Sequence, residues 1–103
     1  MIVANSSNAS NMAHRFSEIV GSDRGVRSLW FRQSGHVSEF WLVTDPLDLD
    51  HELQLQRLSQ ALYEWNPNAL IDFHFVNLRF FPGGEDDAMM VIPAAADAIQ
   101  FPR

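Results

Sequence analysis

At 103 residues, 47% of them hydrophobic, 12% aromatic and 19% charged, the chain has the composition of one folded domain with a modest core, which argues against disorder. Seven arginines and no lysine against thirteen acids leave a formal charge of −6, which disfavours nucleic-acid binding and a basic membrane-surface helix. The absence of cysteine excludes disulfides, a thiolate nucleophile and Cys-ligated metal centres, and no apolar run approaches the ~18 residues that would cross a bilayer.

Residues 1–8 read as a flexible leader. The Asn- and Ser-rich stretch 1–12 lacks the basic-then-apolar order of a signal peptide, and with the missing cysteines this gives a cytoplasmic expectation. Asn8 or Ser10 is placed to cap a helix that runs to Val20, with Met12, Phe16, Ile19 and Val20 on one side. Gly21 and Gly25 flank turn residues. Residues 26–33 and 37–44 read as strands joined by Ser34, Gly35 and His36, an antiparallel hairpin. Asp45-Pro46 then starts a helix to about Trp65, with Asp45 as cap, Pro46 in the first turn and an apolar line of Leu55, Leu58, Leu62 and Trp65. Asn66-Pro67-Asn68 stops it. The clearest strand follows over 70–80, where Ile71, Phe73 and Phe75 alternate with Asp72 and His74. Pro82-Gly83-Gly84 breaks it, and 82–103 reads as an irregular arm with one helical turn.

The expected fold is therefore a single α+β domain over 1–103, in the order helix, strand, strand, helix, strand. The second and third strands, joined through a helix, are parallel by a right-handed crossover. With the first strand between them, the sheet is three-stranded and mixed, of order 2-1-3, with both helices on one face in a ferredoxin-like arrangement. Alternation sends Leu29, Phe31, Phe40, Leu42, Ile71, Phe73 and Phe75 toward the helices. It leaves Trp30, Arg32, Glu39, Trp41, Asp72, His74 and Val76 on the opposite face. Two tryptophans at the middle of that face, each with roughly 200 Å² to bury, require a cover: the arm, a second subunit or a ligand.

The motifs for chemistry are sparse. His51-Glu52 opens like the metalloprotease HExxH pattern, but Leu55 stands where the second His is needed, so His51 reads as an exposed first-turn residue. His74, two strand positions from Asp72, is the residue best placed to bind a metal or move a proton, but it reads first as a partly buried, hydrogen-bonded residue of the sheet face. Asp48 and Asp50 do not share a helical face and read as complements to the helix dipole, while Asp86-Asp87 reads as a solvated loop. Gly21-Ser22 followed by Arg24-Gly25 resembles the Gly-Ser loop of minimal nucleotidyltransferases. Those enzymes carry acidic pairs on the next strand, where this chain has only Glu39. No P-loop, Gly-x-Ser-x-Gly or Ser/His/Asp set can be assigned, so no catalytic residue is named.

Val26, Leu29, Arg32 and Gly35, then Asp45, then Phe73-His74-Phe75-Val76 follow a further pattern: an apolar strand ending in Arg-x-x-Gly, a second ending in Asp, and a last one with a central His. Over 25–77 the chain resembles the cytoplasmic C-terminal domain of cation diffusion facilitator transporters. The resemblance implies the same element order and dimerisation. Of that family's metal positions His74 alone matches, since Gln54 stands at the helix His and Asn77-Leu78 replaces the closing Glu-Pro. The expectation is a non-enzymatic interaction or regulatory module, free of cofactor and metal, that forms a homodimer through the aromatic face, with an unknown protein as the other partner considered. A ligand- or metal-sensing domain is the alternative reading, and a degenerate nucleotidyltransferase-like enzyme the third.

Overall fold

The computed structural model describes residues 3–101, with side chains from residue 11 onward. The order is α1 (Val3–Val20), β1 (Val26–Ser34), β2 (Val37–Thr44), α2 (Leu49–Trp65), β3 (Leu70–Asn77), a 3-10 turn (Leu78–Phe80), α3 (Glu85–Met89) and β4 (Asp97–Ile99). The α+β class and the five expected elements are present. Of the leader expected over 1–8, residues 1 and 2 lie outside the described residues and the rest belong to α1, which starts ahead of the cap expected at Asn8 or Ser10.

The sheet corrects the expected topology. It has four strands in the order β3-β2-β1-β4, not three in the order 2-1-3. β1 and β2 form the expected antiparallel hairpin, and β2 and β3 are parallel as expected, but they are direct neighbours. The reason lies in β2. Its run Phe40-Trp41-Leu42-Val43 is buried on both faces, as in a strand with neighbours on each side. β4 takes the outer edge of β1, where Leu29 pairs with Ile99 and Phe31 with Asp97.

Local chemistry sets the connections. Ser34 pairs with Val37 across a two-residue loop, and Gly35 supplies the positive φ, 60°, that such a tight hairpin needs at its first central position. A bulge at Arg27 shifts the register between Val26 and Ser28, so Val26 and Leu29 both enter the helix-side core. The cap of α2 is Asp48, not Asp45: Asp48 Oδ1 accepts from the His51 N–H at 2.9 Å. Asp45 instead faces Arg27 Nε at 3.3 Å. Pro46 and Leu47 are drawn out of the helix because the Asn77 amide holds Leu47 by both its N–H and its C=O.

Each face of the sheet carries its own core. On the helix side, Met12, Phe16 and Val20 of α1 and Leu55 and Leu62 of α2 close over Leu29, Phe40 and Leu42, with Phe31, Ile71, Phe73 and Phe75 around them. The alternation assigned these side chains correctly. Phe16 meets Phe73 edge-on with centroids 5.7 Å apart. On the opposite face, Ala88, Ile92 and Ala96 of the C-terminal arm pack on Trp41, Val43, Val76 and Leu78. The arm thus contains the helical turn that was expected, together with a strand that was not.

Both parallel connections obey one hand. The α2 connection moves from β2 outward to β3 on one face. The arm moves back across the sheet from β3 to β4 on the other, and β4, antiparallel to β1, runs parallel to β3. Reversing both direction and face preserves handedness, so the crossover rule that places α2 also places the arm.

Candidate functional site

The arm covers one end of the helix-free face and leaves the other end open, along the β3 side. Two ladder rows cross the sheet there. Trp30, Trp41 and His74 stand in one row; Arg32, Glu39 and Asp72 stand in the next. Pleating places alternate residues on the same face, so all seven residues expected there share it, including Val76 beside Val43. The arm divides them. Trp41 and Val76 are buried beneath it and Trp30 lies at its margin, whereas Asp72 and His74 keep about half of their side chains in water. The cover that the tryptophans require is supplied for Trp41 within the chain.

Trp41 is the plate on which the polar groups are assembled. The His74 ring stacks on it, centroids 5.2 Å apart and planes 11° apart. The Arg32 guanidinium lies 5.8 Å from the Trp41 ring centroid. Arg32 donates through Nε at 2.8 Å and Nη2 at 2.6 Å to the same Glu39 oxygen, Oε1. Glu39 is the least exposed of these charges, at 14% for its side chain, and Arg32 balances it. Asp72 Oδ2 lies 3.2 Å from His74 Nε2. Trp30 Nε1 donates to Ser28 Oγ at 3.0 Å.

Glu39, Asp72 and His74 can each present one donor atom within 4.8 Å of the others, a mixed nitrogen and oxygen set of a kind that suits a transition-metal dication. Glu39 Oε1 already accepts from Arg32, which competes with a cation for that carboxylate.

The remaining sequence candidates have local structural partners. His51 is not simply exposed: its Nε2 bonds to both Asp23 oxygens, at 2.8 and 3.0 Å, and joins α2 to the loop after α1. Asp23 Oδ1 also accepts from the Gly25 N–H, so the loop that resembled a Gly-Ser phosphate cradle is a latch on α2. Asp87 Oδ2 accepts from the Gly83 N–H and shapes the turn into α3.

β3 lies at a sheet edge, as it does in the expected order 2-1-3, and is eight residues long. On the helix side a groove lined by Gln56, Ser59, Gln60, Tyr63, Phe73 and Phe75 runs between it and α2. What the sequence reading missed is the interior place of β2, although its two-sided apolar run carried that signal.

No family model, curated protein or solved structure matches this chain.

Proposed function

We propose that the chain is a small interaction module that acts by self-association rather than catalysis, and that it associates through the open β3 edge instead of the centre of the tryptophan face. The supporting observation is the pair of unequal sheet edges. β4 is three residues long, whereas β3 offers eight with no proline, lysine or bulge to discourage pairing. The arm occupies the Trp41 end of the face that would otherwise serve as the interface. Cytoplasmic action belongs to this reading, supported by the absence of cysteine; no described helix is long and apolar enough to cross a membrane. Light scattering on the untagged chain should give the dimer mass at ~100 μM, the micromolar scale on which modest interfaces form. A monomer mass throughout that range contradicts the reading.

The second reading is cation sensing, favoured by the convergence of Glu39, Asp72 and His74 and by the family resemblance at Phe73-His74-Phe75-Val76. Zinc titration by calorimetry should then give a 1:1 isotherm that His74→Ala abolishes. Equal heats from the two proteins would dismiss it.

A further inference from the structure

Resting on the self-association reading, we infer that the partner at β3 is a second copy of this chain, paired antiparallel about a twofold axis that passes beside Phe73. Strand register selects the axis. A twofold axis perpendicular to the sheet keeps the helix layers of both copies on one side. It also requires that residues opposite one another point to the same face. That condition allows axes beside a residue and forbids axes between residues.

Within β3 the permitted centres differ sharply. An axis at Asp72 sets carboxylate against carboxylate, which is repulsive. An axis at His74 sets Asp72 against the apolar Val76, and axes at Ile71 or Phe75 set it against a leucine and shorten the overlap. An axis at Phe73 is the one that matches chemistry on both faces. It sets Asp72 of each copy opposite His74 of the other, twice, on the helix-free face. On the helix side it sets Phe73 against Phe73 and Ile71 against Phe75. It also sets Leu70, 59% exposed, against Val76, and it uses the strand over 70–76.

The Asp72 and His74 side chains already meet within the strand at 3.2 Å, half in water. In the dimer each keeps that neighbour and gains its counterpart from the other copy. A neutral imidazole, with its single N–H, donates to one of the two carboxylates, and a charged one donates to both. Glu39 and Arg32, next in the row, pair with each other rather than with Asp72. The product is a continuous eight-stranded sheet with four long helices on one face and two arms on the other, which removes the long edge from each copy.

The chain has no cysteine, so single introduced thiols report register without background. Asp72→Cys and His74→Cys are half-exposed changes that spare both cores. Residues directly opposite have Cβ atoms about 4.5–5.5 Å apart, close to disulfide range, whereas diagonal neighbours are about 7–8 Å apart. Under mild oxidation an equimolar mixture of the two variants should cross-link several-fold more than either variant alone. A second readout is independent of thiols. His74→Asp should weaken dimerisation by at least about tenfold, and adding Asp72→His should restore it, because the exchange rebuilds both pairs in this register. A wild-type dimer without preferential cross-linking of the mixture, or without rescue by the exchange, overturns the Phe73 axis and leaves self-association standing. A wild-type monomer at ~100 μM overturns both.

Discussion

Asn77 is only 3% exposed, yet its side-chain amide makes four hydrogen bonds: two with the backbone of Leu47, one with Glu52 and one with the N–H of Arg79. It anchors the entry of α2 to the end of β3, across thirty positions of sequence. Asn77→Ala would leave the Leu47 N–H buried without a partner and its C=O with only the long 3.5 Å bond from Arg79 Nη1, so urea unfolding should show a loss of about 2–4 kcal/mol. The same junction separates Asp48 from Asp45. Asp48→Ala removes the cap of α2 and should cost about 1 kcal/mol. Asp45→Ala removes an exposed ion pair with Arg27 and should cost less than about 0.5 kcal/mol. Equal losses would contradict this assignment of the cap. Asp-Pro is a sound helix-start signal locally, and it loses here to a tertiary clamp. Nothing in the letters near Asp45 announces that an amide at position 77 will hold Leu47 extended. For the same reason His51 reads as exposed in sequence and is found bonded to Asp23.

At the scale of elements, the strands were legible because each buried face has a period of two. Leu29 and Phe31, Phe40 and Leu42, and Ile71, Phe73 and Phe75 all face the helices as the alternation requires. Strand order was less legible, although the unbroken run Phe40-Trp41-Leu42-Val43 marks a strand enclosed on both faces and within a sheet. β4 carried no signal, since three residues, Asp97-Ala98-Ile99, are too few to show a period. Its placement follows from the return path: an arm leaving β3 must cross the helix-free face to keep the common hand. That arm is part of the cooperative core. Ile92 is 8% exposed against the cluster around Trp41, so Ile92→Ala should destabilise the whole chain by about 2–3 kcal/mol and shift tryptophan emission to the red before global unfolding. An unchanged emission spectrum would mean that the arm does not hold the Trp41 face.

For the whole molecule, two apolar cores on opposite faces of one sheet hold the chain together, and the polar row of Arg32, Glu39, Asp72 and His74 lies outside both. Thermal unfolding should therefore coincide with and without EDTA; a loss of more than a few degrees after chelation would assign Glu39, Asp72 and His74 a structural metal. The seven residues of the candidate face were legible in the sequence as a set. Their division was not, because burial of Trp41 and exposure of His74 depend on where the arm crosses. With Trp41 enclosed, the surface proposed for self-association is the long edge of β3. The most direct test is amide hydrogen exchange along β3 over a dilution series. Protection of residues 70–76 should rise with protein concentration while that of β4 stays constant. Protection of β3 that is independent of concentration would contradict pairing at that edge.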